Sequence, residues 1–318
     1  MPLLVEASGL RKIFGSTVAV DGIDLHVATG EIFGLVGSDG AGKTTTLRLL
    51  VGALRPDDGQ VSICGFDLSK QVEQARAKIG YLSQRFSLYE DLSVLENIRF
   101  FAEVRGLSAH DWMPRSLEIL EFVGLAEFKD RRAGQLSGGM KQKLGLATAL
   151  VHQPSVLLLD EPTTGVDPVT RQDFWQLIIR LVGQESVAVV ISTPYMDEAS
   201  RCQRIGFMRS GRFMLEGTPS QLRATLNGRI LELHGQPLKL LRRIAGEDQD
   251  VQDVRAFGDR LHLRVKENKT QTVIERLPRR IQAGSGRLTD LRQVPPMLED
   301  VFISLSESAP RTEGGHDG

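Results

Sequence analysis

The chain has 318 residues, 41% of them hydrophobic and 25% charged, with a formal net charge of −1. The length suits two domains and the composition suits an ordinary soluble core. The balanced charge excludes a global pull toward nucleic acid or an anionic bilayer and leaves only local patches. Cys64 and Cys202 lie far apart without ligand-like spacing, which argues against a disulfide framework or zinc site and fits a reducing compartment. No apolar run reaches the length of a bilayer, and Met1-Pro2-Leu3-Leu4-Val5-Glu6 lacks the basic start and long apolar stretch of a signal peptide. The expectation is that any work at a membrane is done as a peripheral subunit.

Residues 3–27 alternate like antiparallel strands, with Phe14-Gly15 in the loop between them. Glu31-Ile32-Phe33-Gly34-Leu35-Val36 reads as a buried strand and residues 46–50 as a helix. Between them stands Gly37-Ser38-Asp39-Gly40-Ala41-Gly42-Lys43-Thr44-Thr45, which fits the pattern G-x-x-x-x-G-K-[ST] in the strand–loop–helix setting it requires. Glycines let the backbone wrap a phosphate with successive N–H groups aimed at it, and the helix start adds positive dipole character. The pattern sends Lys43 to the β- and γ-phosphates and the Thr44 hydroxyl to Mg²⁺. Pro56-Asp57-Asp58-Gly59 signals a turn, and short strands follow at 60–64 and 79–82, the second leading to Gln84.

From about 93 to 150 the pattern is helical. Ser93 and Glu96 have capping-box spacing ahead of an apolar face of Val94, Leu95, Ile98 and Phe101. Further helices are expected at 112–123 and from Ser137 toward Val151. Val156-Leu157-Leu158-Leu159-Asp160 is an apolar run of buried parallel-strand type. A helix at 171–182 and strands at 187–192, 205–208 and 213–216 continue the alternation, which predicts a mainly parallel sheet. After Asn227-Gly228 the character changes to strand, helix, strand, strand, helix, a strand near Ile281, and a strand at 287–291. A closing helix follows at 297–305. This order resembles a split βαβ, ferredoxin-like unit. Residues 306–318 read as a disordered tail.

Five further segments follow the lysine in order: Gln84; Leu136-Ser137-Gly138-Gly139-Met140-Lys141-Gln142; Asp160-Glu161-Pro162-Thr163; Gly165-Val166-Asp167; and Ser192-Thr193-Pro194-Tyr195. With the phosphate loop, this set resembles the ATP-binding cassette (ABC) ATPases over residues 1 to about 226. The resemblance implies an α/β fold, an ABC-type P-loop NTPase core with an antiparallel β subdomain and a helical insertion (about 88–150). A small C-terminal α+β domain at 229–305 would follow. It implies ATP and Mg²⁺ as cofactors, with Gly37, Ser38, Asp39, Gly40, Ala41, Gly42, Lys43, Thr44 and Thr45 around the phosphates and Phe14 stacked on adenine. Asp160, Thr44 and Gln84 would serve Mg²⁺, and Glu161 would polarise the attacking water as general base. Phe14 could equally be core.

Ser137, Gly138 and Gly139, with Gln142, would complete the nucleotide site of a second cassette in a head-to-tail dimer, with Asp167 at that interface. The family places a histidine where this chain has Pro194. Proline has no side-chain donor and no N–H. Loss of one preorganised donor typically costs about 10²–10³ in rate, so the expectation is a slowed site. The wording around the lysine, Arg-Phe-Ser-Leu-Tyr-Glu-Asp-Leu, and the absent histidine resemble the first half of tandem-cassette subunits of bacterial ABC-2 type exporters. Pro295-Pro296-Met297-Leu298-Glu299-Asp300-Val301-Phe302-Ile303 resembles daunorubicin-resistance-type ATPase subunits.

The reading is a peripheral subunit at the cytoplasmic face of a bacterial inner membrane. Its partners would be a second cassette, identical or different, and an ABC-2 permease, with no nucleic acid. A short permease helix would enter a groove beside Gln84, near Phe86, Leu88 and Tyr89, with local core as the alternative for these three. A soluble cassette ATPase acting on ribosomes or DNA and a non-hydrolysing regulatory subunit are the competing readings.

Overall fold

Alternating burial over the first 28 residues builds a hairpin. β1 (Leu3–Phe14) and β2 (Thr17–Ala28) pair antiparallel, with Val5, Leu10, Ile23 and Leu25 wholly buried. The computed structural model describes residues 2–84 and 88–307. β3 (Ile32–Val36) is buried along its whole length and leads through the glycine-rich loop into α1 (Lys43–Leu50). Leu47, Leu49 and Leu50 bury that helix in the same apolar cluster as Phe33 and Leu35. β4 (Asp58–Ile63) and β5 (Phe66–Asp67) complete a four-stranded antiparallel sheet ordered β2-β1-β4-β5. α2 (Val72–Arg76) and β6 (Ile79–Leu82) return the chain to the other sheet.

The helical insertion comprises α3 (Val94–Val104), α4 (Ala109–Val123) and α5 (Gly138–Leu150). The capping box forms: Glu96 N–H donates to Ser93 Oγ at 3.2 Å and Ser93 N–H to Glu96 Oε2 at 2.7 Å. Val94 and Ile98 are buried, and between them so is Asn97. Its amide oxygen accepts from Tyr89 N–H at 2.9 Å, and its amide nitrogen donates to the carbonyls of Tyr89 at 3.0 Å and Ser93 at 2.9 Å. A buried amide with its valences filled by a loop fixes that loop's path.

β7 (Val156–Asp160), α6 (Pro168–Glu185), β8 (Ala188–Thr193), α7 (Met196–Ala199), β9 (Arg204–Arg209) and β10 (Arg212–Gly217) follow. The second sheet has the order β10-β9-β3-β8-β7-β6 and is parallel except for β10.

The chain divides into two compact units, Met1–Thr218 and Pro219–Gly318. The second contains α8 (Pro219–Ala224), β11 (Ile230–Gln236), α9 (Leu238–Gly246), β12 (Val251–Phe257), β13 (Arg260–Val265), α10 (Thr270–Ala283), β14 (Arg287–Gln293) and α11 (Leu298–Glu307). Its antiparallel sheet has the order β12-β13-β11-β14, the split βαβ arrangement.

The strand expected near Ile281 is absent, because that residue lies in α10. Pro278 invites a stop, yet the helix runs through it. Val273, Leu277 and Ile281 recur every four residues and are all wholly buried, and that stripe outweighs the lost N–H bond. The closing helix runs to Glu307, so Ser306 is helical rather than part of a tail, and residues 308–318 lie outside the described residues.

On the sheet face away from the apolar core of this unit, Glu232 is 3% exposed. It accepts from Arg292 Nη2 at 2.8 Å, pairs with Arg260 Nη1 at 2.9 Å and lies 3.1 Å from His234 Nε2. Foremost the Arg292 hydrogen bond, with His234 and Arg260 in support and burial opposed, holds its carboxyl at about 2 against an ordinary 4.5. A depressed folded value stabilises above the unfolded value, and that contribution is lost as pH falls through the folded one. In denaturant unfolding, the stability gap between wild type and Glu232→Gln should therefore be full above pH 4.5 and shrink toward pH 2. A pH-independent gap would refute the assignment.

Candidate active site

The site lies where β3, β8 and β7 end side by side. β3 pairs in parallel with β8, and β8 with β7 in a register that sets Asp160 beside Ser192. Gly42 adopts φ 105°, and a Cβ there would sit 2.4 Å from the Ala19 carbonyl oxygen. A Cβ on Gly37 would sit 2.4 Å from the Met208 carbonyl oxygen. Both positions require glycine, and together they keep the loop's backbone bare for an anion. Lys43 is 4% exposed; its ammonium donates to the Gly37 carbonyl at 2.8 Å and the Ser38 carbonyl at 3.1 Å, and pairs with Glu161 Oε1 at 3.1 Å.

Thr44 Oγ1 donates to Asp160 Oδ1 at 3.0 Å, and Ser192 Oγ donates to the same oxygen at 2.8 Å. Burial pushes the Asp160 carboxyl above its usual range against these two hydrogen bonds, and neighbouring Glu161 pushes the same way. A buried carboxyl held against a threonine hydroxyl, and lacking full charge compensation, is a donor set that fits a hard divalent cation. Gln84 Nε2 donates to Glu161 Oε2 at 3.1 Å, and Thr164 Oγ1 reaches that oxygen at 3.3 Å. Glu161 itself has φ 46°. A left-handed backbone at a non-glycine costs about 1–3 kcal/mol and persists only when its surroundings over-determine it. Here the Glu161 N–H donates to Ser192 Oγ at 2.9 Å.

The structure thus gathers Lys43, Thr44, Gln84, Asp160 and Glu161. It also gathers Ser192 and Thr164, which the sequence reading missed. Ser192 carried a signal: a polar residue near the end of an apolar strand, level with the aspartate that ends another. Ser38, Asp39, Gly40, Ala41 and Thr45 complete the loop and its helix start.

The other expected groups lie apart from this cluster. Phe14 ends β1, 48% exposed, with the Lys12 ammonium 5.7 Å above its ring. Ser137 caps α5, accepting from Met140 N–H at 3.3 Å; it and Gly138 are exposed, while Gly139 packs on Thr170, where a Cβ would collide with that side chain. Gln142 is buried in α5. Asp167 is exposed and caps α6, accepting from Val169 and Thr170 N–H at 3.1 and 3.0 Å. Leu88 lines a cleft of about 670 Å³ with Arg48, Tyr81, Phe101 and Arg105. Tyr89 is exposed beside it, its ring edge-on to Phe100 at 4.6 Å. Phe86 lies outside the described residues.

A glycine cradle opening a helix, a lysine across it and two carboxylates together at the end of β7 define a P-loop nucleotide-binding protein. Residues 20–164 match the family described as ABC transporter. The chain is 38% identical over 307 residues to the Nod factor export ATP-binding protein I of Paraburkholderia xenovorans, covering 95% of this chain and 96% of that one. It is 39% identical over 315 residues to the probable multidrug ABC transporter ATP-binding protein YbhF of Escherichia coli. That match covers 98% of this chain but 53% of YbhF, so the chain spans about half that relative's length.

Among solved structures, cbiO1 of Clostridium perfringens, part of the ABC transporter complex cbiONQ, is similar with a TM-score of 0.65 at 25% identity. It covers 78% of this chain and 96% of its own. The dimeric post-hydrolysis cassette MJ0796 bound to ADP and Pi is similar with a TM-score of 0.62 at 27% identity, covering 67% of this chain and 98% of its own. The chain belongs to the ABC transporter family and carries its ATPase fold, with the antiparallel β subdomain and helical parts expected from sequence.

Gly42→Ala tests the cradle. The added methyl meets backbone rather than a movable side chain, so the loop must shift; ATP affinity, read by equilibrium dialysis, should fall by at least about tenfold. Unchanged affinity would show that the loop does not need this geometry.

Proposed function

We propose that this chain is the nucleotide-binding subunit of a bacterial ABC-2 type exporter and hydrolyses ATP with Mg²⁺ to drive a separate permease. One observation supports it above the others: buried Lys43 and Glu161 pair beside the Thr44–Asp160 hydrogen bond, with the exposed Gln84 donating to Glu161 from the rim. In this reading Lys43 and the loop N–H groups bind the β- and γ-phosphates, and Phe14 stacks on adenine. Thr44 and Asp160 hold Mg²⁺, with Gln84 at its edge. Bound Mg²⁺ supplies charge neutralisation across the phosphates. Glu161 accepts a proton from the attacking water, and Gln84 and Thr164 orient its carboxylate.

The exposed Ser137-Gly138 corner, at the N-terminus of a 13-residue helix, suits a phosphate on another cassette, with Gly139, Gln142 and Asp167 shaping that side. The MJ0796 cassette is dimeric, which supports a dimer here. The names of the Nod factor export and YbhF proteins support export. Among the described residues no helix is long and apolar enough to cross a membrane. The reading places the chain peripherally on the cytoplasmic face, with a permease helix in the cleft beside Leu88. The daunorubicin-type kinship of the C-terminal unit belongs to the same proposal. A second reading, a weakly hydrolysing cassette that regulates an active partner, is favoured by Pro194 alone.

Glu161→Gln should reduce single-turnover ATP hydrolysis by at least about 10²-fold while ATP still binds, since it removes the general base. Unchanged turnover in the assembled transporter would assign hydrolysis to the partner's site and support the regulatory reading. Pro194→His should raise turnover, by up to about 10²–10³ if the missing donor alone limits it. No rise would mean that a second feature slows the site.

A further inference from the structure

Below the reacting groups lies a carboxylate that the chemistry above does not use. Glu198, on α7, is wholly buried. Its Oε1 accepts from Thr163 Oγ1 at 2.5 Å and its Oε2 from Thr193 Oγ1 at 2.6 Å. Arg171 Nε, from α6, lies 3.5 Å from Oε1, and the Arg171 guanidinium also stacks 4.3 Å over the Tyr195 ring. Tyr195 N–H donates to Thr193 Oγ1 at 3.1 Å. One buried anion therefore joins the loop after β7, the end of β8 and α6. A buried carboxylate is retained at low cost only where donors and a counter-charge surround it.

The position of this clamp matters because Glu161 holds a left-handed backbone at φ 46°. Upstream, that residue is held by Ser192 Oγ on its N–H. Downstream, the next anchored side chain is Thr163. Both restraints come from β8, Ser192 directly and Thr193 through Glu198. The strained elbow is thus bracketed on both sides by one strand.

We propose that Glu198 is a positioning residue for hydrolysis: it holds the loop that carries Glu161 and the segment around Pro194 in fixed mutual register. Wholly buried, it acts through Thr163, Thr193 and Arg171 rather than at the reacting atoms. The inference rests on Glu161 being the general base.

The test uses the full chain, with ATP turnover, ATP affinity from a fluorescent analogue, and thermal unfolding read together. Glu198→Ala should lower kcat by about 10- to 100-fold through displacement of the base while KM stays within about threefold. Glu198→Gln, which keeps the shape and one acceptor, should recover part of that loss. Thr163→Val should reproduce part of it without removing the buried charge, and should add nothing to Glu198→Ala. If Glu198→Ala does not fold, Glu198→Gln and Thr163→Val carry the test.

Wild-type kcat in folded, ATP-binding variants overturns the inference. So does a parallel loss of kcat, affinity and thermal stability in all of them, which would make the clamp a plain packing element. Glu161→Gln separates the two readings. If it turns over ATP like wild type, the base is misassigned; if it is silent while the Glu198 variants are normal, only the clamp is wrong.

Discussion

The parallel pairing of β8 with β3 on one side and β7 on the other is the constraint from which the site follows. Each of these three strands delivers a loop at its carboxyl end, and in a parallel sheet those ends lie on one edge. The phosphate loop leaves β3, the Asp160-Glu161 turn leaves β7, and Ser192-Thr193 ends β8 between them. β3 lies about 120 residues before β7, and β7 and β8 are separated by the whole of α6. The sheet converts three distant segments into one cluster within hydrogen-bond reach, and β8, in the middle, supplies the bridges. Ser192 Oγ spans the Asp160 carboxylate and the Glu161 N–H, so one hydroxyl ties the Asp160 side chain to the Glu161 backbone.

What sequence reading could find is what short range encodes. The phosphate loop, the helix caps at Ser93 and Ser137, and the apolar run ending in Asp160 each express their physical reason within about ten residues. Their positions in the fold match the reading. The residues that escaped depend on pairing across long separations. Ser192 is informative only once β7 and β8 are known to be neighbours, Thr164 only once the turn after Asp160 is placed, and Asn97 only once the 89–93 loop is seen to fold back on it. Glu198 in isolation reads as an ordinary helix-start acid beside Asp197. The strand expected near Ile281 shows the converse error: the four-residue apolar stripe of Val273, Leu277 and Ile281 continues one helix through Pro278.

Position 194 brings these points together. Proline there removes a backbone N–H and a side-chain donor, so the question is whether it also damages the frame. The frame's bonds run through its neighbours. Thr193 Oγ1 donates to Glu198 and accepts from Tyr195 N–H, and Tyr195 packs under Arg171. None of these needs an N–H or a side chain at 194. The lysine, the two carboxylates and the glutamine keep their partners. Proline at 194 therefore leaves the hydrogen-bonded frame around Glu161 whole. That intact frame is what the proposed slowed site requires, since a left-handed backbone at Glu161 persists only where its surroundings over-determine it.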